Sequence, residues 1–236
     1  MEASVITMEQ RRRLVRPRRR SARAAGARAA APIGIASAIF GISFGILARD
    51  AGMGVIAPIV FSLTTFAGSA QFAAASVMQD GGAVIAAIAA AVLLNLRYVA
   101  IGVSIAPSLT GGRARRLAEA QLATDESWAV SQEDGRVDRA RLVGAGLVLF
   151  FSWTGGTIAG VFGGSALGDP AALGLDAMFP ALFLALLVGQ LRRPNALGAA
   201  VTGALIALVL TPVAPPGVPI VVAAAGALLA LRRPAS

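Results

Sequence analysis

The 236-residue chain has no cysteine, no histidine and no lysine. Without cysteine there are no disulfides, and without cysteine and histidine there are no thiolate or imidazole metal sites. The same absences remove the usual nucleophile–base pairs of a membrane hydrolase. The sequence therefore presents no metal centre, no cofactor site and no catalytic set of an enzyme. Lacking a P-loop lysine, the chain cannot hydrolyse ATP by that route. Charge is scarce too: 14% of residues are charged and 56% are apolar, whereas soluble domains are about a quarter charged. This is the composition of an all-α integral membrane protein. Its length accommodates a polytopic bundle of roughly six to eight spans of about 20 residues each.

What charge there is lies unevenly. Much of the formal excess of +9 sits in the first 30 residues, where Arg11, Arg12, Arg13, Arg16, Arg18, Arg19, Arg20, Arg23 and Arg28 precede the first apolar stretch. Residues 1–30 read as a disordered cytoplasmic tail resting on anionic lipid. They do not read as a nucleic-acid-binding arm or as a signal peptide, since the basic region is too long and lacks a cleavage site.

Residues 31–231 read as a single transmembrane domain. Apolar stretches cover about 31–48, 55–78, 83–106, 142–164, 172–191, 196–211 and 218–231. Gly41 and Gly45 in the first, and Gly156, Gly160 and Gly164 in the fourth, have the four-residue spacing that lets helices approach closely. The polar segment 108–141 opens helical and interfacial, with Leu117, Leu122 and Trp128 as apolar anchors. By the positive-inside rule the tail, this segment, Arg192-Arg193 and Arg232-Arg233 are cytoplasmic, as are both termini. Three apolar stretches between tail and central segment break that parity. A broken or re-entrant helix near 66–72 restores it; four legs in 55–106, or one external basic segment, would do so too.

Two polar interruptions stand out at membrane depth. The first is Phe66-Ala67-Gly68-Ser69-Ala70-Gln71-Phe72 and the second is Asn95-Leu96-Arg97. An arginine there is costly and normally faces a bundle interior or a water-filled path. The forked guanidinium of Arg97 suits a substrate carboxylate, with Asn95 orienting it. Internal pairing in the service of folding, and snorkelling to the interface, are the competing readings. Ser69 and Gln71 can coordinate a zwitterion without burying charge, and the backbone amides of Gly68 to Ala70 can serve its carboxylate. Their alternative role is helix–helix hydrogen bonding. Phe66 and Phe72 can gate or line an apolar pocket, or simply pack. Asp125 and Glu126 can share a proton and couple transport to a gradient, or cap a solvated helix after Thr124.

The seven-residue run at 66–72, followed by Asn-Leu-Arg at 95–97, resembles the AzlC family, the large subunits of bacterial branched-chain amino acid exporters. Pro32, the Phe44-Gly45 pair, Thr124-Asp125-Glu126 and the overall length are similar too. The likeness covers residues 31–231, and its downstream half rests on hydropathy more than on residues. It implies an ion-gradient-driven secondary transporter of the bacterial inner membrane. Such a protein exports branched-chain or other small apolar amino acids with a small, separately encoded AzlD-type membrane subunit. A non-transporting membrane scaffold is the alternative.

Overall fold

The computed structural model describes residues 8–133, 136–164, 184, 187, 188, 191, 196–214 and 218–224, with side chains from Ser21 onward. Ten α-helices are described. They are α1 (Met8–Asp50), α2 (Ile56–Thr64), α3 (Gly68–Gln79), α4 (Val84–Asn95), α5 (Arg97–Ile105), α6 (Arg113–Ala120), α7 (Asp125–Val130), α8 (Arg139–Gly163), α9 (Ala196–Leu210) and α10 (Val218–Ala224). A short 3₁₀ turn, Ala106–Ser108, follows α5. A two-stranded antiparallel pair, Gln132–Glu133 with Arg136–Val137, precedes α8. The all-helical expectation for the membrane part holds.

Among the described residues two helical segments, Ser21–Asp50 and Arg139–Gly163, are long and apolar enough to cross a membrane. The pair Val84–Asn95 and Arg97–Ser108, bent by 42°, makes a third if it counts as one span. The count of six to eight is not reached on these residues. The expected fifth span at 172–191, with Asp176, lies almost wholly outside them, as do Arg192-Arg193 and Arg232-Arg233. Residues 8–30 belong to the helical run of α1. Arginine and alanine are both good helix formers, so repulsion alone does not keep such a stretch unfolded.

The chain divides into two compact units. The first holds residues up to Ala38 and Tyr98–Trp153; the second holds Ile39–Arg97 and the residues from Thr154 onward. In the first, a Cβ on Gly26 would collide with the backbone of Arg141, and one on Gly144 with the backbone of Arg23. In the second, a Cβ on Gly45 would collide with the backbone at Thr157 and Val161, and one on Gly160 with that of Ile42. Each unit thus contains a stretch of α1 pressed backbone to backbone on a stretch of α8. Close approach through small residues is how helices gain contact where no hydrophobic drive favours their association.

In the second unit α3 and α4 form a hairpin through the turn at Asp80–Gly82, where Gly81 has φ 78°. Helix α10 packs on α9 and touches α4. Along α4 the small residues Ala87, Ala90 and Ala91 are buried while Val84, Ile85, Ile88 and Val92 are more than half exposed. Small residues inside and large aliphatic ones outside suit a helix surrounded by lipid tails rather than water.

The first unit has its own core of Ile101, Ile105, Leu109 and Leu142, against which Tyr98, Trp128 and Val137 pack. Trp128 Nε1 donates to Ser104 Oγ at 2.8 Å, which satisfies the indole while its ring stays on the apolar cluster.

Candidate functional site

The site is built from two helix breaks, both in the second unit. At the first, α2 ends at Thr64 and the chain turns through Thr65, Phe66 and Ala67 before α3 begins. Phe66 has φ 44°, in the left-handed region. That conformation costs a residue other than glycine about 1–3 kcal/mol, and the ring is nearly fully buried against the surrounding helices. The break lies slightly upstream of the Gly68 to Gln71 centre read from the sequence. Gly68, Ser69, Ala70 and Gln71 are instead the first turn of α3, with Ala67 as its extended N-cap.

Gln71 braces this break. Its side chain is fully buried. Its Oε1 accepts from the Ala67 N–H at 3.3 Å, and its Nε2 donates to Ser62 Oγ on α2 at 2.8 Å. Ser62 Oγ in turn lies 2.9 Å from Thr157 Oγ1 on α8. One amide therefore braces the turn before α3, ties α3 to α2 and, through Ser62, to α8. Buried polar groups that all find partners rigidify a core. Around them, Phe44 meets Phe72 edge-on at 5.7 Å and Phe61 at 6.4 Å. Phe72 is a buried packing residue of this cluster.

The second break separates α4 from α5 at Leu96, with Asn95 closing one helix and Arg97 opening the other. Arg97 Nη2 donates to Ser69 Oγ at 2.8 Å, joining the two breaks. Asn95 Oδ1 is a buried acceptor with no hydrogen-bond partner among the described residues. Helices α2, α3 and α4 contain no charged residue at all, and none of these elements has an acid in its first turn. A guanidinium held in the first turn of α3 adds positive charge to the positive end of a helix dipole. That arrangement favours an anion there. Among the described residues no group of His, Cys, Asp or Glu is placed to hold a metal ion.

Asp125 and Glu126 are not with these residues; they belong to the first unit, in the first turn of α7. Thr124 caps that helix, with Ser127 N–H donating to Thr124 Oγ1 at 3.3 Å and Thr124 N–H to Ser127 Oγ at 2.8 Å. Two acids at a helix N-terminus are favourable by their charge alone, and Glu126 is solvent-exposed.

Sequence reasoning missed several buried polar residues, among them Ser62, Thr157 and Glu119. The first two are lone hydroxyls inside apolar helices and carry no pattern. Glu119 had a signal, since it follows Arg115 by four residues, the spacing of a helical ion pair. Arg115 Nε donates to Glu119 Oε1 at 3.1 Å. Arg139 grips the same carboxylate through Nη2 and, at 2.6 Å, through Nε to Oε2. Burial works to raise the Glu119 carboxyl, but the hydrogen bonds and charges of Arg139 and Arg115 outweigh it and hold it below the ordinary carboxylate value.

A family model described as AzlC protein matches residues 32–167, a stretch that includes both breaks and α7. The inner membrane protein YgaZ of Escherichia coli K12 is 29% identical over 201 residues, covering 78% of this chain and 80% of that protein. An uncharacterized membrane protein of Archaeoglobus fulgidus is 34% identical over 179 residues, 75% of this chain and 79% of that protein. The branched-chain amino acid transport protein AzlC of Bacillus subtilis is 28% identical over 217 residues, 86% of this chain and 82% of that protein. No solved structure matches the chain.

Proposed function

The chain belongs to the AzlC family, and from that premise we propose that it is a secondary transporter of the bacterial inner membrane that exports branched-chain or other small apolar amino acids. Its kin are membrane transport proteins rather than enzymes, and one of them is named for branched-chain amino acid transport. An AzlD-type small membrane subunit completes the transporter in this reading, an ion gradient drives it, and α2 and α3 together form the re-entrant element that charge parity calls for.

The observation that carries the reading is the hydrogen bond from Arg97 Nη2 to Ser69 Oγ, which holds the guanidinium in the first turn of α3. The carboxylate of the amino acid lies against Arg97, Ser69 and the backbone amides of Gly68 and Ala70. Asn95, with its buried acceptor oxygen, orients the bound zwitterion. Gln71 keeps the break in shape, Phe66 serves the apolar side for the aliphatic tail in this reading, and Phe72 packs on Phe44. Asp125 and Glu126, neither at membrane depth by sequence, are the chain's acids offered for proton coupling. The scaffold alternative leaned on glycine stripes as partner surfaces. Gly45 and Gly160 are occupied by contacts within this chain, which leaves that alternative without a specific observation.

The test is efflux of leucine, isoleucine, valine and methionine from cells loaded with dipeptides. Efflux that requires both this chain and the small subunit and collapses with an uncoupler is the expected result. No efflux from protein verified in the membrane would refute the reading.

A further inference from the structure

Helix α6 shows two different faces. Arg115 and Glu119 lie on one, and Glu119 is taken up by Arg139. Arg113, Arg116, Leu117 and Ala120 follow the i, i+3, i+4, i+7 pattern of a single helical face. They line one side of a cavity of about 350 Å³ in the first unit. The opposite side is lined by Gly102, Ile105, Ala106 and Leu109, which repeat the same spacing along α5 and the turn after it. One wall is therefore wholly apolar, and the other is apolar at Leu117 and Ala120 but cationic at Arg113 and Arg116.

Both arginines are exposed and neither is in an ion pair among the described residues, while their neighbour Arg115 has Glu119. Residues three apart on a helix are neighbours, so the two like charges repel. An anion between them removes that repulsion and gains charge-assisted hydrogen bonds from two forked donors. Leu117 is 72% exposed, and an inorganic anion would leave it and the apolar wall uncovered. A neutral acyl chain would cover the wall and leave the cations unanswered. The groove asks for both parts in one molecule.

We propose that the groove between α5 and α6 binds an anionic phospholipid of the surrounding bilayer, its phosphate on Arg113 and Arg116 and an acyl chain along Ile105, Leu109 and Leu117. The occupant comes from the bilayer because this is a membrane protein by family and the groove adjoins a helix of the bent apolar pair. The site is separate from the arginine-rich residues 11–28, and it makes no use of Arg97 or Ser69.

Native mass spectrometry of the full chain, purified and exchanged into phosphatidylglycerol or phosphatidylcholine of the same chain length, tests the site. The wild type is expected to retain one phosphatidylglycerol that phosphatidylcholine does not replace. Arg113→Gln/Arg116→Gln weakens that retention on the order of thirtyfold. Arg113→Lys/Arg116→Lys keeps most of it, and Arg16→Gln/Arg18→Gln in the tail leaves it unchanged. Leu117→Asn, which removes the apolar contact without adding charge, also weakens retention of the lipid. Equal retention of both lipids by the wild type, undiminished phosphatidylglycerol in Arg113→Gln/Arg116→Gln, or full displacement by millimolar inorganic phosphate would each overturn the proposal.

Discussion

Around the break between α2 and α3 the buried polar groups are neutral. Ser62, Gln71 and Thr157 are fully buried and bonded to one another and to the Ala67 N–H. Around α6 the buried polar group is a carboxylate, Glu119, gripped by Arg115 and Arg139. Both arrangements satisfy their atoms, but the cost of removing water differs. A neutral amide or hydroxyl can be sealed into an apolar region by one or two hydrogen bonds, whereas an ion needs a well-placed counter-charge and further donors. The amphipathic, polar surroundings of α6 supply those, and the uncharged helices α2 to α4 do not. Arg97 is the exception on the neutral side: it is a charge beside helices that carry none, and its Nη2 donates to the Ser69 hydroxyl.

The contrast can be broken most severely at Glu119. Glu119→Ala leaves Arg139 itself as a largely buried charge without its counter-ion and lowers stability by about 3 kcal/mol, read as apparent Tm in detergent. Glu119→Leu combined with Arg139→Met restores most of it, since an apolar pair needs no counter-charge. The pH dependence has a fixed sign. The folded carboxyl titrates below its ordinary value of 4.5, so its contribution is fully present above the unfolded value and is lost as pH falls through the folded one. The Tm difference between wild type and Glu119→Gln therefore narrows on acidification below that value.

Of similar size is Gly160→Val. Its Cβ meets the backbone of Ile42, which has no flexible end to yield, and the forced separation costs about 3 kcal/mol. Gln71→Leu removes both bonds of the brace and strands the Ala67 N–H, while Ser62 keeps Thr157, at about 2 kcal/mol. It also lowers efflux, because the first turn of α3 is no longer held. Thr124→Ala loses the cap of α7 for about 1 kcal/mol and leaves efflux through the Arg97 site intact. That outcome separates capping from coupling at Asp125 and Glu126.

The two polar interruptions that frame the candidate site were legible in the sequence. The costly arginine and the Gly-Ser-Ala-Gln interruption were visible because polar residues at membrane depth are rare, and the glycine spacings because close packing requires small residues. The break falls at the upstream edge of the 66–72 stretch. Glycine and serine suggested an unwound segment, yet they open α3, and the irregular φ falls on Phe66. No local pattern predicts a phenylalanine there, since its conformation is held by burial among distant side chains. Ser62 and Thr157 stayed hidden because a pair separated by 95 positions leaves no spacing to read.

The account rests on Arg97 holding the substrate carboxylate, and efflux by Arg97 variants tests it most directly. Leucine efflux from dipeptide-loaded cells is measured for wild type, Arg97→Ala and Arg97→Lys, each co-expressed with the small subunit and quantified in the membrane. Arg97→Ala is predicted to lose about 10- to 100-fold in rate, the worth of a hydrogen bond to a charged group. Arg97→Lys recovers little of it, since an ammonium lacks the fork. Wild-type efflux from Arg97→Ala at normal membrane levels would contradict the account.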